Sequence, residues 1–287
     1  MKPHLPRLLT LPAILAAFFV VESRAVSFDF SADNDFTNNF QSYNLDAGTP
    51  GYAQTGASGV VTWSAGFAST GNFVYDTNGS TAGGVANFVP GVGNTVTVSF
   101  DFSTTISGAS VGVYFGGSRG SDKLALFNLN VSGNTDRLRF FTGSNLTAAV
   151  ATSAGSVITT GVTTSSSGAT ASAGVVDLTS SPSYVTGTTY HATFSLTYTA
   201  ASTATAVFTI SDPSNTLSSF SATATGLSVS STSGEIGFRT GFSGTGGTTT
   251  MDNLSITTAA IPESSTYALL GGAGALGLAF GIRRKRR

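Results

Sequence analysis

Strict alternation between apolar and polar residues is the feature that most limits how this chain can fold. From Tyr190 to Thr199 every second residue is apolar, and the residues between them are His, Thr or Ser. The same alternation runs from Thr95 to Phe102. Because successive side chains of a β-strand point to opposite faces of a sheet, the pattern predicts long strands that are buried on one face only.

Shorter stretches extend the same pattern over most of the chain. Further strands are predicted at 26–30, 59–63, 72–76, 111–115, 123–131, 137–142, 206–210, 235–240 and 249–256. Clusters of Gly, Asn, Asp and Ser separate them and indicate turns. The short Ala/Ser/Thr link after Thr199 predicts a hairpin. No segment between 26 and 258 has a convincing helical pattern. Residues 26–258 are therefore predicted to form one all-β domain, an antiparallel β-sandwich of the jelly-roll type. The Ser/Thr/Gly-rich segment 152–174 is expected to be a surface loop or an irregular edge insertion.

The first 25 residues have the layout of a secretory signal peptide. Lys2 and Arg7 precede an apolar stretch, and small residues occupy the positions that a signal peptidase reads. Cleavage is predicted between Ala25 and Val26. The alternative is a retained N-terminal anchor, for which the apolar stretch is short.

Residues 259–287 form a tail with a different chemistry. The 19 residues from Ser264 to Ile282 carry no charge, and as a helix they would extend ~28 Å. This is close to the ~30 Å hydrocarbon core of a bilayer, so a transmembrane helix is predicted over about 265–282. The five basic residues that follow favour the cytoplasmic side: Arg283, Arg284, Lys285, Arg286 and Arg287. The domain before Pro262 would then lie outside the inner membrane.

The order of these elements resembles a known sorting signal. Pro262-Glu263, the run Tyr267-Ala268-Leu269-Leu270-Gly271, the apolar span and the arginine cluster together resemble the PEP-CTERM signal. Ser264 stands where that family has a second proline. The resemblance implies recognition by an exosortase, a membrane-embedded cysteine protease of Gram-negative bacteria that make exopolysaccharide. It also implies processing near Pro262 and Glu263, with display at the cell surface or release. The central domain resembles concanavalin-like and laminin-G-like jelly rolls more loosely, through the ending Met251–Ile256.

Charge and composition exclude several classes of function. Between Val26 and Ala260 there are five basic and twelve acidic residues, a net charge of −7. Such a domain repels phosphate backbones, which argues against nucleic-acid binding, and is compatible with calcium and neutral glycans. The chain contains no cysteine, which excludes disulfides and thiol chemistry. His191 is the one histidine after the signal peptide, so a zinc site made of His and Cys is excluded.

Candidate ligands for a structural calcium ion occur near both ends of the domain. Asp33 and Asp35 flank Asn34 and offer oxygen ligands. Asp252 lies in the last predicted strand, where it can meet the first strand. Asp33, Asp35 and Asp252 are therefore predicted as calcium ligands, with turn and cap residues as the alternative interpretation. Trp63 shares a strand face with Val61, which favours a place in the core over a sugar-stacking platform.

The supply of catalytic groups is poor. Jelly-roll glycosidases need paired carboxylates ~5–10 Å apart, and Glu235 is the one glutamate of the domain. His191 falls on the polar face of its strand and is interpreted as an ordinary exposed residue. No catalytic residue is therefore nominated, and a non-enzymatic protein is predicted.

These observations predict an exported surface or extracellular-matrix protein, either anchored in the membrane or processed by an exosortase. Its β-sandwich would act in adhesion or in binding exopolysaccharide or another glycan. The alternatives are a polysaccharide-acting enzyme that uses Glu235 and a purely structural matrix component.

Overall fold

A computed structural model of the chain describes a large part of the predicted domain. The described residues are 24–44, 52–64, 70–75, 91–116, 122–132, 135–144, 156–159, 161–179, 184–231, 234, 236–241 and 246–259. The predicted signal sequence before Arg24, the tail with Pro262 and Glu263, and Glu235 lie outside them. No helix within the described residues is long and apolar enough to cross a membrane.

The described residues form two antiparallel sheets. Sheet I consists of β1 (Arg24–Phe28), β3 (Tyr52–Ala53), β4 (Val61–Ser64), β6 (Thr95–Thr104), β11 (Val162–Thr163), β14 (Thr189–Ala200), β15 (Thr203–Ser211), β16 (Phe220–Ser228) and β18 (Thr248–Ala259). Its strand order is β11-β16-β15-β14-β6-β18-β4-β3, and β1 pairs with β18.

Sheet II faces sheet I across the core. It consists of β2 (Phe40–Asn44), β5 (Thr70–Tyr75), β7 (Ser110–Phe115), β8 (Asp122–Ser132), β9 (Thr135–Ser144), β10 (Ser156–Val157), β12 (Ala169–Ser172), β13 (Val175–Leu178) and β17 (Ile236–Gly241). Its order is β12-β13-β9-β8-β7-β17-β5-β2, and β10 pairs with β9. Neighbouring strands are antiparallel, and most are not consecutive in the chain, as in a jelly-roll sandwich.

The alternating stretches fold as predicted. Along β6 and β14 the apolar residues are buried and the Thr, Ser, Asp and His residues face outward at intermediate exposure. The predicted hairpin is confirmed, since β14 and β15 pair directly through a turn after Ala200.

Aromatic side chains join the two sheets in the core. The rings of Phe115 on β7 and Phe194 on β14 have centroids 4.7 Å apart. Phe100 on β6 meets Phe238 on β17 edge to face at 5.8 Å. Such pairs contribute about 0.5–1.5 kcal/mol each beyond the burial of their area. Trp63 is 1% exposed, which confirms its prediction as a core residue.

The structure contains elements that the alternating pattern did not predict. Residues 156–159 and 161–174 fall in the segment predicted as a surface loop or an irregular edge insertion, and they contain β10, β11 and β12. These short strands pair along the edges of both sheets, because an edge backbone can be paired whatever the side chains are. A five-residue helix, α1 (Asp35–Asn39), follows β1, and its Phe36 is buried in the core.

Candidate functional site

A row of polar residues crosses the outer face of sheet I. Ser211 on β15 is paired with His191 on β14, and His191 is paired with Asp101 on β6. Asp101 is in turn paired with Asp252 on β18. Directly paired residues lie on the same face of a sheet. The strand register thus places the only histidine of the domain next to Asp101, with Asp252 on the other side of that carboxylate.

Asp101 holds two neighbours through its two carboxylate oxygens. Its Oδ1 atom lies 2.7 Å from Nδ1 of His191, and its Oδ2 atom accepts a hydrogen bond of 2.8 Å from the side-chain amide of Asn253. Because an ionised carboxylate only accepts hydrogen bonds, Nδ1 of His191 must carry the proton. The imidazole is thereby fixed in orientation. Its Nε2 atom makes no hydrogen bond within the described residues and can serve a ligand.

A β-bulge in β18 completes this group. The register between β18 and β6 shifts between Asp252 and Ser255, and Asn253 has a φ of 50°. The extra residue breaks the alternation, so that Asp252 and Asn253 both lie away from the core while Leu254 is buried. Bulges re-aim side chains in this way, and asparagine tolerates the left-handed conformation better than most residues.

An open cleft of about 400 Å³ adjoins the group. It is lined by Ser27, Phe28, Asp29 and Asn253, at the place where β1 pairs with the second half of β18. The side chains of Asp29 and Asn253 are exposed there, whereas the ring of Phe28 is buried in the core. Such a cleft presents hydrogen-bond donors and acceptors to a small polar ligand.

The carboxylates of this region have opposite pKa shifts. Partial burial, reinforced by the negative charges of Asp101 and Asp29, raises the pKa of Asp252. Hydrogen bonds from the hydroxyl and backbone N–H of Ser31 lower the pKa of Asp29. One carboxyl thus keeps its proton more readily than the other. Two carboxyls with diverging environments are suited to different roles at one site.

His191 was interpreted from sequence as an ordinary exposed residue, and its side chain is indeed partly exposed, but its contact with Asp101 was not foreseen. Its strand position was predicted well, but its partner comes from a strand 90 residues earlier in the chain. No sequence pattern near His191 predicts its pairing with Asp101. Ser211 donates to the backbone carbonyl of His191 at 3.4 Å and not to the ring.

The predicted calcium ligands are not brought together as a group. Asp33 lies in the turn before α1 and Asp35 begins that helix, whereas Asp252 belongs to the row with Asp101. No group of three or more His, Cys, Asp or Glu residues in the described part of the chain is arranged to hold a metal ion. Calcium binding by these aspartates stays a prediction.

Gln54 organises the loop that contains Asp33 and was not singled out from the sequence. Its Nε2 atom lies 2.8, 2.6 and 3.0 Å from the carbonyl oxygens of Phe30, Ala32 and Gly56. Its Oε1 atom accepts the backbone N–H of Phe36 at 2.8 Å. Carbonyl oxygens are the ligands that calcium prefers, and here three of them converge on an amide group.

The described outer face of sheet II carries more basic than acidic side chains. Arg137 pairs with Asp177 at 2.5 Å, and Arg139 donates to the side-chain carbonyl of Asn128. Arg239, which is buried, donates to the hydroxyl of Tyr114 at 3.2 Å. Burial and the charges of Arg137 and Arg239 lower the pKa of Arg139. On this face three arginines thus outnumber the one acidic partner, Asp177.

No family model and no curated protein sequence matches the chain. Among solved structures, an endo-1,3-beta-glucanase from Streptomyces sioyaensis is similar, with a TM-score of 0.49, 10% identity, and coverage of 88% of this chain and 100% of that one. Lectin I-B4 from Griffonia simplicifolia has a TM-score of 0.45 at 10% identity, covering 81% and 99%. A lectin from Bauhinia forficata, in complex with GalNAc, has a TM-score of 0.44 at 8% identity, covering 83% and 99%. At these values the likeness concerns the arrangement of the sheets and says nothing about the ligand.

Proposed function

We propose that the sandwich is a glycan-binding module that uses the outer face of sheet I. The observation that carries the proposal is the coupling of Asp101 to both His191 and Asn253 beside an open cleft. Sugar hydroxyls both donate and accept hydrogen bonds. A site that offers an imidazole nitrogen, an amide and a carboxylate in fixed positions can satisfy them.

Binding to a panel of neutral oligosaccharides and exopolysaccharides tests this proposal. The full chain, purified in a neutral detergent, is titrated with each glycan by calorimetry. The variant Asp101→Asn keeps the shape of the side chain but replaces one acceptor by a donor, so it can no longer accept from both His191 and Asn253. We expect its affinity to fall at least tenfold, which corresponds to about 1.4 kcal/mol.

The control is Asp177→Asn on sheet II, which makes the same chemical change away from the cleft. Its affinity is expected to stay within twofold of that of the natural chain. Binding that Asp101→Asn leaves intact, or no binding to any glycan, would refute the proposal. Repeating the titrations with a calcium chelator tests the calcium prediction for Asp33, Asp35 and Asp252, since an effect of the chelator requires a bound metal.

We further propose that the module is exported and displayed. The support is the layout of both ends of the sequence: a signal peptide ending at Ala25, an apolar span over about 265–282, and the basic residues 283–287. An exosortase-type protease would act near Pro262 and Glu263. The protein would lie at the surface of a Gram-negative cell or in its matrix, either as an adhesin or as a matrix component.

A polysaccharide-acting enzyme is the second candidate function. It is favoured by the raised pKa of Asp252 and the lowered pKa of Asp29 in the same region, because acid catalysis requires a carboxyl that holds its proton. If the protein is such an enzyme, Asp252→Asn abolishes hydrolysis while glycan binding persists. A complete lack of hydrolysis by the natural chain over the panel would dismiss this candidate.

A further inference from the structure

A second cleft, of about 470 Å³, lies at the edge of the sandwich between the two sheets. One wall comes from the neighbouring ends of β8 and β9 and from β10, all in sheet II. The other wall comes from residues 225–228 of β16 in sheet I. It is separate from the group around Asp101, because the two clefts share no lining residue. Its volume is in the range of ~300–1,000 Å³ typical of small-ligand sites.

Two glycine bulges lie in the strands that form the walls of this cleft, and Gly226 is one of its lining residues. In β9 the pairing with β8 shifts between Asp122 and Leu124, opposite Gly143. In β16 the pairing with β15 shifts at Thr225 and Gly226. Gly143 and Gly226 have φ values of 65° and 67°, and a Cβ atom placed on either would meet nothing within 4 Å. The space in front of both backbones is therefore open, which allows close approach of a ligand.

Among the described residues that line this cleft, Lys123 is the one that carries a charge. It is paired with Phe115, whose side chain is buried in the core, so Lys123 lies on the core-facing side at the start of β8. It is half-buried and forms no ion pair within the described residues. The described lining residues include no carboxylate, although the domain as a whole is acidic. An ammonium group held in such a place favours an anion.

The remaining polar groups of the lining are hydroxyls. Thr142, Thr159, Thr225 and Ser228 contribute to it, and the last three are exposed. Hydroxyls both donate and accept hydrogen bonds, as sugar hydroxyls require. One cation surrounded by hydroxyls matches a sugar unit that carries a single carboxylate.

We propose that the cleft around Lys123 binds a uronic acid unit of an acidic polysaccharide. The carboxylate pairs with the ammonium of Lys123, and the sugar hydroxyls bond to the threonine and serine side chains. This goes beyond the proposed binding of neutral glycans at Asp101, since it concerns another surface and another class of ligand. Binding at each of the two sites can therefore be tested independently of the other.

The test compares two trisaccharides of equal size, one of α-1,4-linked galacturonic acid and one of α-1,4-linked galactose. The full chain is titrated with each by calorimetry. In Lys123→Gln we expect at least a tenfold loss of affinity for the acidic trisaccharide, with less than a twofold change for the neutral one. Lys123→Arg keeps the charge and is expected to retain affinity within about threefold, since a guanidinium also pairs with a carboxylate.

The matched control is Arg137→Gln, which removes one positive charge from the outer face of sheet II. Its affinity for the acidic trisaccharide should change less than twofold. Ser228→Trp provides an independent variant, because it fills the cleft without changing any charge, and it should also lower the affinity at least tenfold. Equal losses in Lys123→Gln and Arg137→Gln would overturn the proposal, as would undiminished binding by both Lys123→Gln and Ser228→Trp. Loss of neutral-glycan binding in Asp101→Asn is measured separately and bears only on the first site.

Discussion

The carboxylate of Asp136 on β9 accepts the backbone N–H of Tyr184, 48 residues later in the chain, at 2.8 Å. Its other oxygen accepts the backbone N–H of Asn130 at 3.0 Å. Asp136 is fully buried, and this burial raises its pKa even though both hydrogen bonds oppose the shift. The side chain thus connects the segment before β14 to the last part of β8.

Replacing Asp136 with alanine should destabilise the domain by about 2–4 kcal/mol, because two N–H donors lose their acceptor. Urea unfolding followed by circular dichroism measures the change. Asp177→Ala, which breaks the partly exposed ion pair with Arg137, is the control and should cost less than about 1 kcal/mol. Similar losses in the two variants would show that the buried carboxylate has no special role.

Gln54 should be equally important for the loop between β1 and α1. In Gln54→Ala three carbonyl oxygens lose their shared donor, and we expect a loss of about 1–3 kcal/mol. In Gln54→Glu a carboxylate faces the same three carbonyls. Calcium should then raise the unfolding midpoint of Gln54→Glu more than that of the natural chain, because the group becomes a set of oxygen ligands. If calcium raised the unfolding midpoint of both proteins equally, the prediction that these three carbonyls and a carboxylate form a calcium site would be wrong.

Asp212 makes stability depend on pH in the acid range. Its carboxylate accepts the hydroxyl and backbone N–H of both Ser214 and Thr216, and these bonds hold its pKa well below the usual range. The folded pKa is below the unfolded one. The contribution is therefore complete above about pH 4 and is lost as the pH falls towards the folded value. In Asp212→Asn the free energy of unfolding should fall less steeply from about pH 4 to pH 2. The control Asp177→Asn makes the same change of charge on sheet II. If its free energy of unfolding depended on pH as weakly as that of Asp212→Asn, Asp212 would not be the cause of the pH dependence.

The ends of the mature protein test the sorting prediction. Cleavage before Val26 would remove Arg24 and Ala25 from β1 but leave Val26, Ser27 and Phe28 paired with β18, so the sheet tolerates the cut. Intact-mass spectrometry of protein recovered from its host should show Val26 as the first residue and a C-terminus near Pro262. If every mature molecule still ended at Arg287, C-terminal processing would be ruled out. Membrane fractionation would then test whether the tail serves as a membrane anchor.

The fold could be predicted from sequence to the extent that strands have one apolar face. β6, β14 and β15 are examples, since burial on one side dictates their period. β16 was missed because its outer positions hold Thr, Ser and Gly, and Ala at its core positions gives a weak apolar signal. The edge strands β3 and β11 have only two residues each, too few for a period to appear.

Single residues of the candidate site could be predicted from the sequence, but their arrangement in space could not. Asp252 was singled out, and its place in the last strand beside β1 is as predicted. Its partners were not foreseen, because Asp101 and His191 are joined by strand register over 90 residues. The position of Asn253 results from a β-bulge in β18. Two further bulges, in β9 and β16, lie in the walls of the cleft that contains Lys123. Each bulge changes which face a residue occupies, and no periodic pattern carries that information.

β18 is the last described strand, yet it lies inside sheet I, between β6 on one side and β4 and β1 on the other. A chain synthesised from its N-terminus therefore cannot finish this sheet until residue 259 is available. Until then β6 and β1 keep unpaired edges, which are prone to pair with other molecules. The completion of sheet I is therefore expected to be a late step of folding. A chain that stops before Thr248 should behave as an aggregating fragment and not as a smaller domain.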